Sequence, residues 1–160
     1  MTTMIRVATA ADTDTLLDSL LEAANWNGEV RNSRDDIRSS KYVVGWPANG
    51  DFGVIAEDGE GNGLGSAWCR FFAEENAGYG FVREDIPELT IGVASGARGN
   101  QIGTRLLDAL MNLARERGCN AVSLSVEDGN PARRLYKRSG FIKVGRNGNS
   151  DTLLLEFSAI

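Results

Sequence analysis

A glycine-rich turn between a short apolar segment and an amphipathic one is the part of the sequence best suited to bind an anion. The turn reads Arg98-Gly99-Asn100-Gln101-Ile102-Gly103-Thr104. The first N–H groups of a helix have no partner within the helix, and Gly99 and Gly103 lack side chains that would keep a ligand away. The guanidinium of Arg98 adds a charged contact. The turn therefore predicts a phosphate site, with a tight strand-to-helix corner as the alternative.

Two common phosphate-binding motifs do not fit this turn. A Walker loop places a lysine before its final Ser or Thr, whereas Gly103 precedes Thr104 here. The G-x-G-x-x-G spacing of a dinucleotide-binding fold is also absent. A phosphate ligand at this turn would thus belong to another class.

The residue types available for catalysis are restricted. The sequence contains no histidine, and its two cysteines, Cys69 and Cys119, lie far apart in apolar segments. A metal-ligand cluster is therefore not expected. Any general base must be a carboxylate, a tyrosine, a lysine, a cysteine or a relayed water.

The segments around the turn show the periodicity of regular structure. Apolar residues alternate from Glu88 to Ala94, which predicts a strand with one packed and one less packed face. They recur at helical spacing from Ile102 to Gly118, which predicts an amphipathic helix with a glycine exit. The whole chain reads as strand, two helices, three strands, helix, strand, helix and two strands. This order predicts a mixed sheet with helices on both faces.

Local signals set the other boundaries. Thr9 to Asp12 is expected to start the first long helix, and Ser33 a shorter one through about Lys41. Phe141 to Gly145 and Thr152 to Phe157 are expected to form the last two strands.

The turn and three later motifs together resemble the acetyl-CoA-binding core of the GNAT superfamily of N-acetyltransferases. The later motifs are Asn130-Pro131-Ala132, Leu135-Tyr136 and Gly140-Phe141. The chain departs from the family pattern at Gln101, which stands where the family has a glycine. The resemblance implies an α/β (α+β) fold with a mixed, mostly antiparallel twisted sheet of about seven strands and helices on both faces. We expect residues 1–160 to form a single domain.

The resemblance implies where acetyl-CoA binds. Its diphosphate would lie on the backbone from Arg98 to Thr104, and its pantetheine arm beside the strand from Glu88 to Ala94. Backbone groups of Ile91 and Val93 would hold that arm, and an N–H near Val93 would polarise the thioester carbonyl. Asn130 would bond the pantetheine, although capping of the following helix explains this residue equally well.

Two residues are candidates for proton transfer. Tyr136 is the candidate general acid, because the ordinary pKa of a phenol, about 10, is close to that of a thiol; packing under the sheet is the alternative. Glu88 lies where the superfamily often places its acidic base, and it would act directly or through water. A solvated carboxylate at the strand entrance is the alternative for Glu88.

The acceptor is expected to be a primary amine, on a small molecule or on a protein. Trp26, Tyr79 and Phe81 are candidates to line its pocket, and each has core packing as an alternative. The expected reaction is direct attack in a ternary complex of acetyl-CoA and amine. A longer acyl-CoA donor and a non-catalytic acyl-CoA-binding sensor are the alternative functions.

Composition bounds the possible partners. The net charge of −5 argues against nucleic acid, and no apolar run is long enough for a membrane span. With no basic-apolar signal at the N-terminus, we expect a cytoplasmic protein. The apolar run from Leu153 to Leu155 predicts a strand buried on both faces, in a homodimer or in the core of one chain.

Overall fold

A seven-stranded sheet forms the centre of the protein. The computed structural model describes residues 2–28, 32–97 and 101–157. The strands are β1 (Met4–Val7), β2 (Phe52–Glu57), β3 (Gly63–Arg70), β4 (Glu88–Val93), β5 (Ala121–Glu127), β6 (Ile142–Asn147) and β7 (Ser150–Glu156). They lie in the order β1-β2-β3-β4-β5-β7-β6, and every neighbouring pair is antiparallel except β4 and β5. The mixed, mostly antiparallel sheet is the predicted fold class.

Four α-helices accompany the sheet. They are α1 (Thr13–Ala24), α2 (Arg34–Arg38), α3 (Ile102–Glu116) and α4 (Ala132–Arg138). Two N-termini carry reciprocal capping boxes: Thr9 with Asp12 in the 3-10 turn before α1, and Ser33 with Asp36 at α2. No helix in the described ranges is both long and apolar enough to cross a bilayer.

The helices cover both faces of the sheet, as predicted. On one face, α3 packs its buried stripe of Leu106, Leu107 and Leu110 against the central strands. On the other face, α1 and α2 enclose a second apolar cluster around Trp46 and Trp68. Each helix thus buries its apolar side against one face of the same sheet.

Helix α1 lies against β4 with no side chain between them. A Cβ at Gly92 would come within 2.0 Å of the carbonyl oxygen of Ser19, so glycine is needed for this close approach. The approach places the segment after α1 beside β4.

The structure corrects the expectation that one face of β4 is less packed. Glu88 is only 3% exposed and Gly92 is buried against α1, so both faces of the strand are covered. The alternation of polar and apolar residues was misleading, because the polar face of β4 meets the second apolar cluster rather than solvent.

Three boundaries differ from the prediction. Helix α2 ends at Arg38 rather than near Lys41, because residues 39–45 form turns such as the one closed by Val43 N and Ser40 O. Strands β6 and β7 extend further into their hairpin than expected, to Asn147 and Ser150. Leu153 and Leu154 are buried within this chain, which explains the apolar run; the homodimer stays a prediction.

Candidate active site

The parallel neighbours β4 and β5 separate after a single paired position. Glu88 is opposite Ser123, and Ser123 N donates to Pro87 O at 3.0 Å. Beyond this point β4 continues along β3 as far as Val93, while β5 continues along β7 as far as Glu127. The two strands therefore diverge and leave a gap in the middle of the sheet.

Backbone groups of β4 face this gap. Alternate residues of a strand direct their N–H and C=O groups to the same side, and Pro87 O already points toward β5. Ile91 and Val93 follow in that alternation and are opposite Ala67 and Gly65 of β3. The bond from Ala94 N to Leu64 O at 2.8 Å marks the adjacent pair as hydrogen-bonded, so Ile91 and Val93 are at non-hydrogen-bonded positions and direct their N–H and C=O groups toward the gap.

A cavity of about 1000 Å³ lies at the gap, and residues from both faces of the sheet line it. Its wall on the α3 side includes Gly103, Leu135 and Tyr136, and its wall on the α1 side includes Trp26, Tyr42 and Glu88. Further wall residues come from the β5–α4 and β6–β7 connections: Glu127, Asn130, Pro131, Ala132, Asn147, Gly148, Asn149 and Ser150. Ligands from opposite faces of the sheet can therefore meet in this cavity.

The first turn of α3 borders the cavity through Gly103. Gln101 adopts a left-handed conformation, with φ of 58°, and the first helical hydrogen bond joins Arg105 N to Gln101 O. The amides of Ile102, Gly103 and Thr104 precede that bond, and within the described residues the Gln101 side chain does not cap them. The predicted contacts Arg98, Gly99 and Asn100 lie outside the described residues.

Gly103 leaves space on the cavity side of α3. A Cβ at this position would lie 3.6 Å from Leu135 Cδ2 and 4.0 Å from Val93 Cγ2, which are ordinary contacts. Packing of the protein therefore does not require glycine here. A ligand that approaches the helix backbone would require it.

Helix α4 positions Tyr136 under the cavity. Asn130 Oδ1 accepts from Ala132 N at 3.0 Å and so caps the helix, as the sequence predicted. At the other end Gly140 has φ of 104°, and Phe141 N donates to Tyr136 O at 3.1 Å. The Phe141 ring packs edge-on against Tyr136, with 5.9 Å between ring centroids.

Tyr136 is 7% exposed, and burial raises its pKa above the ordinary value. The phenol is therefore protonated at neutral pH. Burial also moves the pKa of Tyr136 in the free protein further from that of a thiol, whereas the sequence analysis used the ordinary pKa of a phenol.

Glu88 is a buried carboxylic acid at the α1-side end of the cavity. Its Oε2 accepts from Tyr42 Oη at 2.5 Å, while Oε1 is buried and makes no hydrogen bond of normal geometry with the described residues. Burial raises the pKa of Glu88 to about 7, although the Tyr42 hydroxyl, the Gly80 amide and the Lys41 ammonium each lower it. This environment contradicts the alternative of a solvated carboxylate.

The raised pKa of Glu88 predicts how stability depends on pH. The ordinary pKa is 4.5, so the folded state binds this proton more tightly than the unfolded state does. Glu88 therefore adds stability at pH values below 4.5, and that contribution is lost as the pH rises through 7. At about 1.4 kcal/mol per pKa unit, about 2 kcal/mol of the loss falls between pH 5.5 and 8.5.

In Glu88→Gln this contribution is absent. The difference in free energy of unfolding between variant and wild type should then move by about 2 kcal/mol in favour of the variant from pH 5.5 to 8.5. Urea unfolding at both pH values measures the difference. If the difference in free energy of unfolding is the same at both pH values, the pKa of Glu88 is not raised in the folded protein.

The candidate acceptor residues are not all in the cavity. The indole of Trp26 lines it, and Nε1 is buried without a hydrogen-bond partner among the described residues. Tyr79 also lines the cavity, with 66% of its surface exposed. Phe81 instead lines an adjoining groove of about 490 Å³ beside Val82 and Val144, so the structure does not bring it to the cavity wall, and its role toward the acceptor stays a prediction.

The sequence reasoning missed Tyr42. This residue lies in the turns after α2, and it meets Glu88 only because the tertiary structure packs those turns beside β4. A tyrosine in a glycine- and proline-rich loop gave no periodic signal. The cavity residues Asn147, Asn149 and Ser150 were missed for the same reason, since they lie at the tip of the β6–β7 hairpin.

The arrangement combines the first backbone amides of α3, a protonated phenol and a carboxylic acid that titrates near neutral pH. Such a set can bind a phosphate-bearing ligand and move protons at both ends of one cavity. No group of three or more metal-ligating side chains that could hold an ion occurs among residues 2–28, 32–97 and 101–157.

Comparisons with known proteins identify the family and the fold. A model described as "Acetyltransferase (GNAT) family" matches residues 17–141. Mycothiol acetyltransferase from Beutenbergia cavernae is 35% identical over 92 residues, which are 57% of this chain and 28% of that protein. The chain thus matches less than a third of that relative's length.

Two solved structures share the fold over nearly their whole length. The ribosomal-protein-alanine N-acetyltransferase of Brucella melitensis is 27% identical, with 96% of this chain and 99% of that chain covered and a TM-score of 0.70. The PaiA N-acetyltransferase of Thermoplasma acidophilum, solved in complex with coenzyme A, is 17% identical, with 98% and 100% covered and a TM-score of 0.73. At 17% identity the second likeness concerns the fold.

Proposed function

Since this chain belongs to the acetyltransferase (GNAT) family, we propose that it transfers the acetyl group of acetyl-CoA to a primary amine by direct attack in a ternary complex. The observation that carries the proposal is the cavity through the β4–β5 gap, with the α3 amides near one end and the buried carboxyl of Glu88 near the other. The proposal covers amines of small molecules and of proteins alike.

The residues on the α3 side fit acetyl-CoA. The amides of Ile102, Gly103 and Thr104, which the Gln101 side chain does not cap, would hold its diphosphate, with Arg98, Gly99, Asn100 and Gln101 completing the site. The space beside Gly103 leaves the helix backbone open to a phosphate. Ile91 and Val93 would hydrogen-bond the pantetheine arm through the backbone groups that face the gap.

Acetyl-CoA supplies the thioester, and the chain supplies a hydrogen-bond donor, a base and an acid. The N–H of Val93 donates to the thioester carbonyl oxygen, where negative charge develops. The amine nitrogen then bonds to the carbonyl carbon, and the carbon–sulfur bond breaks with its electron pair on sulfur. Tyr136 protonates this sulfur, and the proton lost by the amine goes to Glu88.

A water molecule carries the amine proton to Glu88 in this proposal. The carboxyl is 3% exposed and one oxygen is bonded to Tyr42, so a bulky amine would not reach it directly. An alkylammonium with a pKa near 10 loses its proton at neutral pH at a cost of about 4 kcal/mol. With a pKa of about 7, the ionised carboxylate of Glu88 can accept a proton relayed by one water molecule.

Thiol release measured with DTNB over a panel of amines tests the function. We expect release in the presence of acetyl-CoA and at least one primary amine, with the acetylated amine identified by mass spectrometry. Propionyl- and butyryl-CoA in the same assay identify the preferred acyl chain. Calorimetric binding of acetyl-CoA without thiol release from any acceptor would favour the sensor and contradict the transferase.

Replacement of the base should remove the acid limb of the pH profile, which is the fall in kcat/KM for the amine as the pH drops below the pKa of Glu88. Glu88→Gln is expected to lower kcat/KM for the amine by about 100-fold at pH 8, the lower end of the usual range for a general base, because solvent can accept the proton at modest cost. The limb near pH 7 should also disappear. A loss of only a few fold with the limb retained would remove Glu88 from the mechanism and leave the acetyl-CoA site unaffected.

A further inference from the structure

We propose that Tyr42 is a positioning residue for acetyl transfer, whose hydroxyl orients the Glu88 carboxylate and keeps it ionised as the proton acceptor. The inference rests on the proposed function, because Glu88 is the base assigned there. Three features of the structure carry it: the direction of the hydrogen bond, the fixed position of the tyrosine ring and the closure of a loop over both groups.

The direction of the Tyr42–Glu88 hydrogen bond follows from the donors and acceptors that meet at Tyr42. Tyr79 N donates to Tyr42 Oη at 2.8 Å, which leaves the hydroxyl proton of Tyr42 available to Glu88. Since an ionised carboxylate can only accept, Tyr42 Oη donates to Glu88 Oε2, 2.5 Å away, when Glu88 is charged. A carboxylate oxygen that accepts a hydrogen bond is stabilised in the charged form.

Tyr42 is held in place through its backbone and through its ring. The backbone carbonyl of Tyr42 accepts from Trp68 Nε1 at 2.9 Å, and the backbone amide of Tyr42 donates to Ser40 Oγ at 3.2 Å. The Phe72 ring packs edge-on against the Tyr42 ring, with 5.3 Å between centroids. The hydroxyl is thus presented to Glu88 in a fixed geometry, which is what a positioning role requires.

A glycine allows the loop 77–80 to close over the pair. A Cβ at Gly78 would lie 2.3 Å from Glu88 Oε1 and 2.8 Å from Tyr42 Oη, so a side chain there would displace both groups. The loop is fastened on either side of Gly78 by the bond from Tyr79 N and by Lys41 Nζ, which donates to Ala77 O at 2.8 Å. The loop lowers the local dielectric around the pair and so strengthens the hydrogen bond between Tyr42 and Glu88, while Glu88 still borders the cavity from which the relay water would reach it.

The other polar groups around Glu88 have separate partners or weaker effects. On β3, Arg70 is opposite Glu88 in the register but pairs with Asp51 at 3.2 Å, and the neighbouring Cys69 is a fully buried thiol. On β5, the buried hydroxyl of Ser123 has no hydrogen-bond partner among the described residues.

The remaining influences come from the loops that cover Glu88. The Lys41 ammonium lowers the pKa of Glu88 less than Tyr42 does, and the Gly80 amide has an intermediate effect. The hydroxyl of Tyr42 is therefore the strongest of the groups that favour the ionised carboxylate.

Tyr42→Phe tests the proposal, because it removes the hydroxyl and keeps the ring. Loss of a hydrogen bond to a charged group should raise the pKa of Glu88 by about 1 to 2 units. The acid limb of kcat/KM for the amine then moves to higher pH by the same amount. Relative to wild type, the variant should be about 5- to 50-fold less active at pH 7 and within about twofold at pH 9.5.

Ser66→Ala is the matched control. It also removes a buried hydroxyl from the α1 side of the sheet, since Ser66 Oγ donates to Ser19 Oγ at 2.6 Å, but that pair does not contact Glu88. The control should lose stability without a change in the acid limb. If both variants lose activity equally at every pH, the effect of Tyr42 is structural and the proposal is wrong.

A second measurement remains informative if the variant has little activity. Carbon-13 NMR of glutamate-labelled protein gives the pKa of the Glu88 carboxyl directly, with the resonance assigned from its loss in Glu88→Gln. An upward shift of about 1 to 2 units in Tyr42→Phe supports the proposal. An unchanged pKa overturns it, whatever the kinetics show.

The two measurements also separate this inference from the proposed function. A shifted NMR pKa with an unmoved kinetic limb means that Glu88 is not the base, and the positioning role fails with it. If wild type releases no thiol with any amine, the proposed function fails, while the NMR titration still decides whether Tyr42 controls the ionisation of Glu88.

Discussion

Tyr136→Phe is expected to lower kcat for acetyl transfer by about 100- to 1000-fold, because the departing thiolate loses its proton donor. The phenol is buried and protonated throughout the neutral range, so wild type holds the proton that the leaving group needs. The helix that carries Tyr136 is fixed at both ends, by Asn130 at its start and by Gly140 and Phe141 at its end. Removal of one oxygen should therefore leave the ring where it is.

The separation of kcat from acetyl-CoA binding makes this result specific. Calorimetry should give similar acetyl-CoA affinities for Tyr136→Phe and wild type, since the aromatic ring and its packing on Phe141 are retained. Thiol release in single-turnover experiments then reports the chemical step. A variant with normal kcat would show that Tyr136 packs under the sheet and that water protonates the thiolate.

Gly103→Glu is expected to weaken acetyl-CoA binding by at least about 100-fold, or about 3 kcal/mol, without destabilising the fold. The added carboxylate would lie in the first turn of α3, on the wall of the cavity, where it repels a diphosphate and fills the space that Gly103 leaves. Acidic side chains are favourable in the first turn of a helix, and glycine is a poor helix former, so stability should be equal or higher.

Asn112→Glu is the matched control for Gly103→Glu. It adds the same charge to the exposed side of the same helix, beyond the cavity-lining residues. Its acetyl-CoA affinity in calorimetry should be that of wild type, which separates a local effect from the net charge of the protein. Normal affinity in Gly103→Glu would place the diphosphate away from the start of α3 and remove the basis of the donor site.

The order of elements and most helix ends, though not the end of α2, could be read from the sequence. Capping at Thr9 and Ser33, glycine exits at Gly118 and Gly140, and the Asn130 cap of α4 all depend on residues close in the chain. The same local character let the turn before Gly103 be predicted as an anion site. These features follow from periodicity and backbone conformation, which neighbouring residues determine.

The environment of Glu88 could not be read from the sequence. Its position at a strand entrance beside Pro87 is equally compatible with solvent and with burial. Burial resulted from the packing of three distant segments: α1 against Gly92, the turns that carry Tyr42, and the loop at Gly78. Phe81 illustrates the converse, since an apolar residue near the site faces a different groove.

The sequence alone determined the fold class, the glycine-rich turn that resembles the family's acetyl-CoA motif and the absence of a histidine base, because each depends on residue types or on spacings within one segment. Only the tertiary structure decided which carboxylate is buried, which hydroxyl binds it and where β4 and β5 separate. These properties depend on contacts between residues as far apart in the chain as Tyr42 and Glu88. No local sequence pattern indicates whether a polar side chain is buried away from solvent.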